Sequence, residues 1–154
     1  MFDFLSSILP IFSSFISPDW TVYNDVQYGQ TPDEKADLYL LNEGTRPAVV
    51  FIHGGGWSAG DKSAYRGRAK RDALAGFHVI AINYRLATIN DKKTQWPAQL
   101  QDVQLAIRWI RQNAGNFRID LNNIGVAGDS AGGHLAIMLG ANLHNVPGDR
   151  SDIY

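Results

Sequence analysis

Residues 123–143 read NIGVAGDSAGGHLAIMLGANL, and the fold is decided here. Residues 123–127 form a short run with Ile124 and Val126 at its centre, the pattern of a buried strand, while residues 131–143 carry Leu135, Met138 and Leu139 at helical spacing. Between them stand Gly128, Asp129, Ser130, Ala131 and Gly132, a G-x-S-x-G match. A tight strand-to-helix turn with a serine at its apex lifts the hydroxyl above the sheet edge, and the flanking glycines leave room for the strained backbone. The helix beginning at Ala131 directs free N–H groups and a positive dipole end toward any oxyanion formed there. The same five residues also read as a glycine-rich turn with Ser130 as a helix N-cap.

Upstream, segments of strand and helix character alternate. Residues 21–28 and 36–41 alternate apolar with polar side chains across a turn containing Gly29, Pro32 and Asp33, which predicts an antiparallel hairpin. Residues 48–52 (Ala48, Val49, Val50, Phe51, Ile52) are continuously apolar and β-branched, as in a strand covered on both faces. A helix is expected over 61–75 with Gly76 as its C-cap, then a second buried strand over 78–84. Pro97 suits a helix start, and Leu100, Val103, Ile107 and Ile110 make an apolar stripe ending near 113–115. This order predicts an α/β fold: a doubly wound, mostly parallel sheet of about five strands with an N-terminal antiparallel hairpin.

His53, Gly54, Gly55, Gly56 and Trp57 follow the 48–52 strand directly. Three consecutive glycines are costly in chain entropy, so they mark a place where backbone approaches a ligand closely. An HGGG-type loop in this position supplies one part of an oxyanion hole; the residue after the nucleophile, here Ala131, supplies the other. Each motif predicts the other. Two competing matches fail on inspection. Gly54 to Ala59 satisfies G-x-G-x-x-A, but His53 and Trp57 crowd the pyrophosphate position and no acidic residue ends the next strand. Gly55 to Ser63 approximates a P-loop, but Asp61 sets a negative charge where phosphate would lie.

At this point the sequence resembles the α/β-hydrolase fold, specifically esterases related to hormone-sensitive lipase. Residues 53–62, HGGGWSAGDK, are similar to the signature of the small feruloyl or acetyl esterase-like members and their kynurenine formamidase relatives. Residues 83–86 (NYRL), Trp96 to Ala98, residues 101–103 (QDV) and 128–136 (GDSAGGHLA) fit the same pattern, so the resemblance covers about 25–143. It implies a truncated α/β-hydrolase fold and a carboxylic ester hydrolase acting through a serine acyl-enzyme. Ser130 would be the nucleophile, Gly55, Gly56 and Ala131 the oxyanion-hole donors, and Trp57 a wall of the acyl pocket. His53 would order the oxyanion loop, Asp129 would steady the loops, and Asp102 would be a structural helix residue. In that family the acid and histidine follow later strands. Both are expected to be absent from this chain, which then reads as the N-terminal portion of a hydrolase domain over 19–154. The other reading is a catalytically incomplete half-domain serving as a ligand-binding or chain-pairing module. The four histidines, His53, His78, His134 and His144, are each expected to be structural rather than a substitute base.

Composition limits the remaining classes. The chain has 154 residues, a formal net charge of -1 and no cysteine. A disulfide scaffold, a thiolate zinc site and a cysteine nucleophile are excluded, and no sequence-wide field favours nucleic acid. A single domain fits the length, although domains carrying these motifs run to roughly 250–300 residues. No cofactor or metal is implied; the expected partner is a small-molecule ester, with homo-oligomers conceivable through an exposed sheet edge or the N-terminal segment. Residues 1–18 are apolar, with Phe2, Leu5, Leu9, Phe12 and Ile16 at helical spacing around Pro10. They read as an amphipathic helix packed on the domain or another subunit, as a membrane-surface contact, or as an atypical leader. No basic n-region or small-residue cleavage site is present, so the cytoplasm is the default expectation and location is otherwise open.

Overall fold

The computed structural model describes residues 19–141. The apolar segment 1–18 and His144 lie outside the described residues. The predicted hairpin forms from β1 (Trp20–Gln27) and β2 (Lys35–Leu41), paired antiparallel from Trp20 opposite Leu41 to Gln27 opposite Lys35. The turn is closed by Tyr28 N–H donating to Glu34 O at 2.9 Å, and a bulge interrupts β1 between Tyr23 and Val26. β3 (Arg46–Ile52), β4 (His78–Ile82) and β5 (Ile119–Gly128) complete a five-stranded sheet in the order β1-β2-β4-β3-β5. β3 lies parallel to both β4 and β5, whereas β2 meets β4 antiparallel, so the hairpin extends the parallel part of the sheet.

Period-2 alternation on β3 sorts its side chains onto two cores. Ala48, Val50 and Ile52 face one layer, where α2 (Ala98–Gln112) buries Leu100, Val103, Ile107 and Ile110 and α4 (Ser130–Ala141) buries Leu135 and Leu139. Each such side chain contributes about 1.5–3 kcal/mol. On the other face Phe51, Tyr39, Val79 and Ala81 pack on Ala69 of α1 (Arg66–Leu74). A short α3 (Ala114–Phe117) leads into β5, with Arg118 in the left-handed region at the junction.

Two expectations need correction. The helix over 61–75 begins as a 3₁₀ turn, Lys62–Tyr65, because Asp61 Oδ1 accepts Ser63 N–H at 2.8 Å and tightens the first turn. The third parallel strand starts at Ile119 rather than 123 and is half-exposed instead of buried, because among the described residues it pairs with β3 alone.

Lys62 joins the turn to the hairpin. Its side chain is 7% exposed, and the ammonium lies 2.8 Å from Asp25 Oδ1 and 2.9 Å from Asp37 Oδ1. Burial opposes the charge, but hydrogen bonds to the two carboxylates outweigh it and raise the Lys62 pKa. Asp25 sits in the bulge at φ 55°, and its N–H donates to Asp37 Oδ1 at 2.9 Å. Removing one partner of a buried pair strands the other charge. Asp37→Ala is therefore expected to lower unfolding free energy by about 3–5 kcal/mol in urea titrations. Asp25→Ala should cost distinctly less, since that carboxylate is 64% exposed and water can replace it.

Candidate active site

α4 begins hard against the end of β3. A Cβ at Gly132 would collide with the Ile52 carbonyl, and one at Gly128 would stand 2.7 Å from the same oxygen. Only glycine admits this approach. The chain accordingly turns from strand to helix within one residue, and Ser130 adopts φ 48°, a left-handed conformation that costs a non-glycine residue about 1–3 kcal/mol. Ser130 is exposed and Ala131 is buried behind it. Asp129 O accepts Gly132 N–H at 2.8 Å and Gly133 N–H at 3.2 Å, closing the first turn of α4.

The glycine loop lies beside this elbow. Gly55, Gly56 and Trp57 have φ of 114°, 59° and 62°. Gly55 O accepts Ser58 and Ala59 N–H at 3.2 and 3.0 Å, and a Cβ at Gly55 would strike Ala59 O. The loop is tied to the elbow by Gly54 N–H, which donates to Asp129 Oδ1 at 3.2 Å. His53 is buried, its ring stacked on Tyr84 at 4.4 Å, and its Nδ1–H donates to Gly54 O at 2.8 Å. Tyr84 O–H in turn donates to His53 O at 2.9 Å. These bonds hold the loop by its root while Gly55 and Gly56 remain exposed.

A cavity of about 380 Å³ opens next to the loop, lined by Gly56, Trp57, Ala87, Trp96, Gln99 and His134. His134, one helical turn beyond Ser130, meets Trp57 edge-on at 5.4 Å and Trp96 at 5.7 Å. No carboxylate, lysine or arginine stands among these walls. Trp96 precedes Pro97 through a cis peptide and is half-exposed; the sequence places it beside the helix start and carries no signal that it meets His134. The segment between β4 and α2 is positioned by Asp102. Its carboxylate takes Arg85 Nε at 2.9–3.0 Å, Arg85 Nη2 at 2.5 Å and the Arg85 backbone N–H at 2.8 Å. Gln99 Nε2 donates to Arg85 O at 3.0 Å, and Ala87 N–H to Trp57 O at 2.8 Å, so this segment is bonded to both α2 and the glycine loop.

His78 lies away from the elbow, at the start of β4. Its Nδ1 accepts Leu41 N–H at 3.1 Å and its Nε2–H donates to Arg118 O at 3.0 Å, a wholly structural arrangement. Among the described residues no histidine ring is hydrogen-bonded to a carboxylate. The described residues also include no cluster of His, Asp and Glu suited to a metal ion, and no helix long and apolar enough to cross a membrane.

With this geometry in view, the comparisons with known proteins are specific. Residues 36–150 match the family described as BD-FAE, and the chain belongs to that family. It is 38% identical over 120 residues to Esterase LipC of Mycobacterium tuberculosis, covering 75% of this chain and 28% of that protein. A truncated carbohydrate esterase from gut microbiota superposes with a TM-score of 0.69 at 34% identity, over 82% of this chain and 45% of the other. Thermogutta terrifontis esterase 2, solved phosphorylated by paraoxon, gives 0.68 at 26% identity, over 88% and 52%. The sheet and helices are thus those of an α/β-hydrolase esterase. The chain spans less than a third of LipC and about half of the solved relatives.

His53 and His78 carry a pH consequence. Burial lowers both pKa values below the ordinary 6.5, with backbone hydrogen bonds opposing only in part. The unfolded chain therefore takes up protons first as pH falls, and stability is full above about pH 6.5 and lost below it. Urea midpoints should be level from pH 8 to 7 and decline between pH 6.5 and 5.

Proposed function

We propose that this chain carries the nucleophile and oxyanion half of a carboxylic ester hydrolase that works through a serine acyl-enzyme. Ser130 Oγ attacks the ester carbonyl, and the N–H groups of Gly55, Gly56 and Ala131 receive the tetrahedral oxyanion. The observation that carries this reading is the strained Ser130 backbone at the exposed apex of the elbow, next to a glycine loop bonded to the preceding residue. Each oxyanion donor is worth about 3–4 kcal/mol of barrier in comparable hydrolases. His53, Trp57 and Asp129 shape the loop and cleft and do not transfer protons. The general base and its acid come from outside residues 19–141. A cleft walled by two indoles, an imidazole, a glutamine amide, alanine and glycine, with no carboxylate, lysine or arginine, favours a neutral ester bearing an apolar or flat group.

Without the base, acylation is slow and deacylation slower, so an adduct should accumulate. Exposing the 154-residue chain to p-nitrophenyl acetate or paraoxon should give one acetyl or diethylphosphoryl group per chain, mapped to Ser130 by peptide mass spectrometry and absent in Ser130→Ala. Modification elsewhere, or equal labelling of Ser130→Ala, overturns the nucleophile assignment. Rapid turnover abolished by Ser130→Ala overturns the claim that the base lies elsewhere.

One observation favours the second reading, a chain-pairing module. β5 has β3 on one side only among the described residues, with Leu121 45% exposed. Unpaired strands of this kind recruit another strand. Sedimentation velocity showing a concentration-independent monomer would sink it.

A further inference from the structure

Tyr65 ends the 3₁₀ turn on the sheet face opposite α2 and α4, and its ring stacks on Phe51 at 4.6 Å with an interplanar angle of 13°. Its hydroxyl reaches over the end of β3, 2.5 Å from Asp129 Oδ1 and 3.2 Å from Ile52 O. A phenol has one proton for these two acceptors, and the nearer, charged oxygen takes it. The same Oδ1 accepts the Gly54 N–H. A single carboxylate oxygen thus joins three segments far apart in sequence: the turn before α1, the glycine loop, and the residue before Ser130. Asp129 is otherwise exposed, free to swing into water if nothing holds it. Its backbone oxygen also caps Gly132 and Gly133, so a swing of this residue would disturb the first turn of α4.

We propose that Tyr65 is a positioning residue: it clamps Asp129 so that the glycine loop and the serine elbow keep one relative geometry. The relevance of that geometry to ester cleavage rests on the reading of Ser130 given above; the clamp itself does not. The ionisation behaviour of the pair agrees. The Tyr65 hydrogen bond is the main influence holding the Asp129 carboxyl below its ordinary range, and burial followed by Asp129 pushes the Tyr65 phenol up to about 12. Motif spacing does not reveal this residue, because its partner is 64 positions away.

Tyr65→Phe keeps the ring on Phe51 and removes only the hydroxyl. Amide hydrogen exchange followed by NMR should speed up by about tenfold at Gly54, Gly132 and Gly133, while the amides in the middle of α2 keep their rates. In Asp129→Asn, the Tyr65 ring carbon, followed by ¹³C-tyrosine NMR, should titrate below about 12, with burial still holding it above the ordinary 10. Exchange that rises equally throughout the chain, or not at all at Gly54, overturns the clamp, as does an unchanged Tyr65 titration in Asp129→Asn. Should Tyr65→Phe fail to fold, the Asp129→Asn titration decides alone. Failure of Ser130 to acquire an acyl group would leave these exchange and titration results intact, so the two assignments fall separately.

Discussion

The Ile52 carbonyl and the backbone of Gly132 approach too closely for any side chain to come between them, and the geometry of the site follows from that contact. With α4 starting so near β3, no loop can intervene after β5, and Ser130 must reverse the chain by itself. The backbone strain is repaid along the same helix, where Leu135 and Leu139 pack into the core shared by β3 and α2. A Gly132 side chain would cost the elbow twice over, pushing α4 off the sheet and releasing the serine from its apex. The strained and the tightly packed residues belong to one helix, which lets a conformation unfavourable for serine persist in a stable domain.

Around this contact the loops are held by polar groups whose value lies in position more than in energy. Buried charge pairs gain little net stability over apolar replacements of the same shape. The fork of Arg85 on Asp102, however, fixes where the chain runs after β4, and Ala87 carries that fix to the carbonyl of Trp57. Gln99 adds a second tether on the same segment. The cleft is therefore framed by strongly polar residues satisfied within the protein: Gln99 stands in its wall, while Arg85 and Asp102 lie outside it and hold each other.

What could be read in advance divides along physical lines. Period-2 and period-3.6 patterns report burial by a neighbouring layer, so the hairpin, β3, β4, α2 and α4 were legible, as were the two glycine motifs whose spacing is local. β5 was legible as a strand and as an unpaired edge, but not its start at Ile119 nor its half-exposed faces, because apolar runs such as Ile124 to Ala127 look the same whether or not both faces are covered. The 3₁₀ turn at Lys62 depends on a cap that competes with ordinary helix geometry. Trp96, Tyr65 and the partner of Asp102 escaped because each acts across a long sequence separation, and no local pattern encodes which distant residue a side chain will meet. His134 was expected to serve structure; its ring is engaged by two indoles in the cleft wall, a placement its position on α4 alone could not specify.

The ammonium of Lys62 gives the hairpin a standing it would lack as a mere edge extension. It is inserted between a carboxylate of the β1 bulge and one of β2, and it is covalently the next residue after the cap of the turn that leads from the glycine loop. Fraying of β1 would take the Asp25 carboxylate from Lys62 and leave Asp37 as its buried partner. The two-stranded extension and the turn that follows the glycine loop are thus linked through one ammonium, so the hairpin bears on backbone well beyond the sheet edge.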